Sequence, residues 1–267
     1  MHELAFVFAG FAVGLIVGLT GVGGGSLMTP ILIFFFGIKP HMAVGTDLLF
    51  AAFTKMGGTV SLARQRLVPW KVVGQLCAGS IPAALLALWA LKAMGPASGT
   101  AQSIMTTTLG FALLLTAAAT LYKAIAFSAQ RQAAEAAARK THAGDPTRPR
   151  HWSLPVLLGA VIGTLVTFTS VGAGAIGVTV LLLVYPMLPL PRIIGADIAY
   201  AVPLTLVAGL GHASLGSVDW PLLAQLLAGS LPGIWLGSRL VTRTPERLIR
   251  SALSVLLAWA GFKLILI

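Results

Sequence analysis

The chain carries two copies of one pattern. The stretch Trp70–Pro82 returns as Trp220–Pro232, an offset of 220 − 70 = 150. The same offset carries Gly45-Thr46-Asp47 onto Gly195-Ala196-Asp197. An offset one residue shorter carries Thr20-Gly21-Val22-Gly23-Gly24-Gly25 onto Thr169-Ser170-Val171-Gly172-Ala173-Gly174. Two related halves must fold into two related substructures. In a strongly apolar chain this is the pattern of repeat-built membrane proteins whose sites lie where the repeats meet.

The chain is that apolar. Hydrophobic residues make up 57% of it and charged residues only 9%, against about 25% charged in a soluble domain. Five apolar segments are predicted in each half. In the first they are Leu4–Leu19, Leu27–Phe36, Met42–Ala63, Val72–Leu91 and Ile104–Ile125. In the second they are Leu154–Phe168, Ala175–Tyr185, Ile193–His212, Leu222–Leu240 and Leu248–Ile267. Breaks fall at Gly and Pro clusters such as Gly37-Ile38-Lys39-Pro40, which punctuate helices. The expected fold is an all-α polytopic membrane protein with an inverted five-plus-five repeat and about 8–10 transmembrane helices. The second segment of each half is about ten residues, or ~15 Å of helix, half of a ~30 Å hydrocarbon core. Half-helices meeting near the midplane are favoured over tilted hairpin partners. The N-terminal segment reads as a retained first helix, since Glu3 stands where a signal peptide would be positive.

The net charge of +11 lies in the breaks between segments, at Arg64, Arg66 and Lys71, at Arg131 to Arg150, and at Arg239, Arg243, Arg247 and Arg250. A nucleic-acid binder would gather it on one face, so no nucleic-acid partner is expected. The positive-inside rule places these loops in the cytoplasm. Ser214–Asp219, the counterpart of the Arg64 loop, has no basic residue and falls outside. The counterpart of the Arg239 loop, Lys92–Thr100, has one and also falls outside. Equivalent loops with opposite bias require an inverted repeat, with both termini outward. The expected division is a first membrane repeat over 1–125, a cytoplasmic linker over 126–152 and a second membrane repeat over 153–267. In the linker an Ala-rich surface helix is expected to precede a flexible tail.

Three features bear on chemistry. The first is the pair of Gly-rich breaks. Glycines in succession oppose a helix, and unwound backbone at membrane depth must line a cavity or be buried in protein. A helix restarting after such a break offers free N–H groups and a positive dipole end to an anion. Candidate substrate-binding residues are therefore Thr20, Gly23, Gly24, Gly25 and Ser26, with Thr169, Ser170, Gly172 and Gly174 in the second copy. The alternative is close helix packing through small residues. The second feature is Asp47 and Asp197, at equivalent positions. Intramembrane acids are costly and mark ion pathways, so both are candidates for a coupling proton or cation; the alternative is an N-cap at the interface. The third is Lys55, mid-segment, which can neutralise an anion or pair with an acid, or else snorkel to the interface. Its repeat equivalent is Thr205. His212 reads as a hydrogen-bonded helix-end residue, Cys77 as a small packing residue, and Trp70 and Trp220 as interfacial anchors. Gly172-Ala173-Gly174-Ala175-Ile176-Gly177 spells GxGxxG but lacks the strand and βαβ unit that a dinucleotide site needs. No catalytic triad, metal-ligand cluster or cofactor motif is present, so neither an enzyme nor a cofactor is expected.

Gly18–Ser26, Ala43–Leu49, Trp70 and Gly79-Ser80-Ile81-Pro82 together resemble the sulfite exporter TauE/SafE family of membrane permeases. The likeness covers nearly the whole chain; Ser170 and Ala173 depart from the glycines of the first copy. The resemblance implies a multi-pass permease in the cell membrane that moves sulfite, a sulfonate or a related small anion, with export, proton coupling and alternating access as expectations. An anion channel with the same lining and a non-transporting membrane scaffold are the competing classes. A scaffold gains nothing from intramembrane Asp and Lys.

Overall fold

A computed structural model describes residues 2–20, 25–140, 153–172, 174–185, 188–240 and 246–265. Among them there are ten helices and no strand. The first five are α1 (His2–Thr20), α2 (Gly25–Phe34), α3 (Pro40–Arg64), α4 (Trp70–Met94) and α5 (Gly99–Lys140). The second five are α6 (Ser153–Thr169), α7 (Ala175–Val184), α8 (Leu190–Ser214), α9 (Trp220–Leu240) and α10 (Glu246–Ile265). The expected all-α polytopic fold is therefore found. Three helices are long and apolar enough to cross a membrane by themselves, Trp70–Met94, Gly99–Leu121 and Leu190–Ser214. Large apolar side chains such as Leu4, Phe8, Leu86 and Trp89 are exposed, as a lipid-facing surface requires. Trp70 and Trp220 are exposed at the first residues of α4 and α9.

Helix starts follow local chemistry. Pro40 opens α3, and a proline occupies the corresponding first turn of α8, where its missing N–H is not needed. The turns at Gly37 and Gly216 have φ of 65° and 69°, a backbone that glycine adopts without cost. The α2 and α7 helices have 10 residues each, so they are half-length elements. One boundary differs from expectation. The surface helix expected after residue 125 is the continuation of α5, which runs unbroken for 42 residues to Lys140. The Ala-rich stretch beyond Ile125 holds no Gly or Pro to stop it. The expected flexible tail, 141–152, lies outside the described residues.

Glycine contacts give the helix directions. A Cβ at Gly45 would strike Ser217 and His212, one at Gly209 would strike Leu49, and one at Gly195 would strike Leu67. Numbers rise along α3 as they fall along α8, so these two equivalent helices are antiparallel. That is an inverted repeat read directly from packing. On α1 and α9, Gly10 meets Leu226, Gly14 meets Ser230 and Gly237 meets Leu15, so this pair is parallel. On α4 and α6, Gly79 meets Val156, Gly159 meets Leu76 and Gly163 meets Ser80, again parallel. The α1–α9 and α6–α4 pairs are the same contact under the repeat.

The two halves therefore exchange helices. One core cluster gathers Leu76 of α4, Ile162 of α6, Leu181 of α7 and Ile193 of α8. The other gathers Val13 of α1, Met28 of α2, Leu226 of α9 and Leu257 of α10. Each packed lobe draws on both halves of the sequence. The α3–α8 crossing lies between them.

Candidate functional site

The antiparallel crossing of α3 and α8 carries the buried charged residues, with Lys55 between the levels of the two acids. Asp47 is 47 − 40 = 7 residues past the start of α3, and Asp197 is 197 − 190 = 7 past the start of α8. Neither is an N-cap. Both are buried, with exposures of 0% and 3%. Gly58 and Thr59 pack on Ile198, which sets Lys55, one turn back along α3, on the Asp197 side of the crossing. Lys55 is itself 8% exposed. Both Asp197 and Asp47 lie close enough to act on its charge. The Lys55 side chain is thus held inside the protein and does not snorkel. Under the repeat, Thr205 takes the corresponding place on the Asp47 side. Its hydroxyl donates to the Ala201 carbonyl at 2.7 Å.

The half-helices supply the acids' other neighbours. Thr29 of α2 donates its hydroxyl to Asp47 Oδ2 at 2.5 Å. Asp197 lies over α7, where a Cβ at Gly177 would come within 2.0 Å of Asp197 Oδ1. A glycine there lets the carboxylate approach the helix. Each acid of a long helix therefore faces the short helix of its own half.

The second break is ordered by its own side chains. The Thr169 hydroxyl donates to the Leu165 carbonyl at 2.7 Å and accepts the Val171 N–H at 3.1 Å. Ser170 turns the chain with a φ of 58°, and Gly172 and Gly174 follow at 126° and 157°. The α7 helix then starts with Gly174 as its N-cap residue. The Ser170 hydroxyl faces Asp47 without closing a hydrogen bond of good geometry. The second break thereby meets the first half's acid. Of the first-break candidates, Gly23 and Gly24 lie outside the described residues. Thr20 ends α1, and Gly25 and Ser26 begin α2.

Three residues of this region were not singled out from sequence. Thr29 had a usable signal, because Thr179 stands at the same offset of 150 that relates Asp47 to Asp197. Tyr200 and Ser80 are buried with their hydroxyls close to one another near Asp197, and a single sequence gave no sign of it. His212 is a helix-end residue in α8, its Nε2 3.0 Å from the Thr167 carbonyl.

A family model described as the sulfite exporter TauE/SafE matches residues 6–264. The chain belongs to the sulfite exporter TauE/SafE family. It is similar to a probable membrane transporter protein of Bacillus subtilis strain 168, YjnA, at 35% identity over 98% of this chain and 100% of the relative. A second B. subtilis protein of that description, YdhB, is 24% identical over 96% of the chain and 97% of the relative. A probable membrane transporter protein of Xylella fastidiosa strain 9a5c is 28% identical over 88% of the chain. No solved structure matches. As a member of this family the chain is a membrane transporter with a small-molecule substrate.

Proposed function

We propose that this chain is a secondary transporter in the cell membrane that exports sulfite, a sulfonate or a related small anion, coupled to protons and working by alternating access. One observation carries the reading. Lys55, a buried base, sits at the α3–α8 crossing with Asp197 on its own side. Burying such charge is expensive and rarely improves stability, so a role in moving ions accounts for it.

The arrangement suggests how coupling works. Lys55 is shared between Asp197 and the incoming anion. While Asp197 is ionised, it competes with the anion for the ammonium. A proton on Asp197 frees Lys55 to neutralise the anion. The N–H groups opening α7, and the corresponding start of α2, add donors without adding charge. Proton and anion therefore load together, and an anion produced inside the cell can drive its own exit. The moving bodies are the two exchanged lobes, with α3 and α8 crossing between them.

The test is uptake or efflux of radiolabelled sulfite, taurine and sulfoacetate in proteoliposomes, with and without a pH gradient. Saturable flux that rises with the gradient is expected. Unsaturated conductance would make the protein a channel, and no flux of any of the three would remove this cargo class.

A further inference from the structure

Ionised together, the described acids and base of the crossing would not balance. Asp47 and Asp197 bring two carboxylates and Lys55 one ammonium, so the fully ionised set holds −2 + 1 = −1. An uncompensated charge in this interior is costly. The deficit lies on the Asp47 side, where the repeat places Thr205 in the position that Lys55 holds beside Asp197. Thr205 brings no charge, and its hydroxyl is committed to a main-chain carbonyl.

Around Asp47, hard oxygens converge from three separate elements. They are Oδ1 of Asp47 on α3, Oγ1 of Thr29 on α2, and Oγ of Ser170 in the second break. Asp47 Oδ1 and Ser170 Oγ are buried and close no hydrogen bond of good geometry with any described residue. Both residues are more than nine-tenths buried, at 0% and 4% exposure. Ser170 is also in an unfavourable place for a serine. Its φ of 58° is left-handed and suits glycine. The first copy has glycine there, since 170 − 149 = 21 and residue 21 is Gly21. What Ser170 adds over glycine is a hydroxyl beside the Asp47 carboxylate.

We propose that Asp47, Ser170 and Thr29 form a binding site for a monovalent metal cation, Na+. Hard oxygen donors suit an alkali ion. A single carboxylate matches one positive charge, whereas divalent sites gather more acids and oxygens. Unwound backbone at a helix break is also where transporters of the inverted-repeat kind hold Na+. The bound ion joins α2 of the first half to the break of the second, and it brings the crossing to neutrality with Lys55 and Asp197 ionised. The proposal deepens the transport reading. Asp47 takes Na+, and Asp197 remains the proton carrier.

The test is thermal unfolding of the purified full-length protein in detergent, in NaCl, KCl or choline chloride at equal ionic strength and fixed pH, together with direct 22Na+ binding. Ligand binding to the folded state alone raises the midpoint. A saturable rise of roughly 3 °C or more in NaCl over choline is expected, with 22Na+ bound at one site. Ser170→Gly relaxes the backbone and removes the hydroxyl only. It should fold as well as the parent and lose at least tenfold in Na+ affinity. Asp47→Asn should abolish the Na+ response. Equal midpoints in all three salts, a response to pH without one to Na+, or full Na+ affinity in Ser170→Gly would each overturn the site. Sulfite flux driven by a pH gradient is measured on the same preparation. Its absence alongside intact 22Na+ binding would remove the transport reading and keep the cation site.

Discussion

Asp47 and Asp197 hold the same position in two inverted copies of one fold, yet their surroundings differ. Asp197 has Lys55 on its side of the crossing and Gly177 beneath it. Asp47 has Thr29 and Ser170, with Thr205 where the ammonium would be. The backbone is duplicated and the chemistry is divided. An inverted repeat needs two similar scaffolds so that the site can open to either face. It does not need two identical sites, and one lysine placed in one copy is enough to give two otherwise equivalent acids different surroundings.

The largest expected effects test the duplicated scaffold. Gly79 and Gly229 are repeat equivalents, and a Cβ would meet a main-chain carbonyl oxygen at 1.8 Å and 1.9 Å respectively. Gly79→Val and Gly229→Val should each cost about 4 kcal/mol or more, because neither backbone can yield cheaply. The monodisperse fraction in size-exclusion chromatography should collapse for both. Survival of one alone would show that the α4–α6 and α1–α9 contacts are not equivalent. Next is Lys55→Met, which leaves two buried acids without their base and should cost about 3–5 kcal/mol. Adding Asp197→Asn should recover most of that loss in thermal unfolding, and adding Asp47→Asn should recover less. Equal rescue by both would erase the division of roles.

Smaller effects sharpen it. Asp197→Asn should uncouple flux from the pH gradient by about tenfold, the ordinary size of a lost proton-transfer group or more, with Asp47→Asn weaker in this respect. Wild-type coupling in the double variant would return neither acid to the interface, since both are buried, but would end the proton-carrier role. Gln65→Cys and Ser214→Cys sit at exposed positions at the C-terminal ends of the equivalent helices α3 and α8. Impermeant thiol reagents should reach Ser214→Cys from outside and Gln65→Cys only from the cytoplasm. Tyr185→Phe removes one 2.6 Å hydrogen bond to Gln75 and should cost about 1 kcal/mol.

Much of this was legible in the sequence. The repeat, the alternating loop charge and the short second segments follow from spacing and composition, because transmembrane helices are set by apolar length. The depth of the acids was left open between cap and membrane interior; Pro40 and Pro191 marked the true helix starts. The exchange of α1 and α6 between halves was harder to see. Its signal was present as Gly10 and Gly14 on α1, Gly159 and Gly163 on α6, and Gly229, Gly233 and Gly237 on α9, small residues one turn apart that admit a neighbouring backbone. Such stripes say that a helix packs closely, but they do not say against which partner. The meeting of Ser170 with Asp47 depends on that choice, so it was not available from local pattern.

The exchange also sets a schedule for making the protein. Gly10 packs on Leu226, a partner that lies 226 − 10 = 216 residues further along the chain. At about 5–20 residues per second, α1 waits roughly 10–40 s in the membrane before its neighbour exists. The α4 helix waits far less, because α6 is the second helix to follow it. A ribosome stalled after the first half would leave α1 with its glycine face open to lipid or to another chain. Completion of the last two helices is therefore the step that commits the whole molecule, and a truncated product has an unsatisfied surface by which quality control can know it.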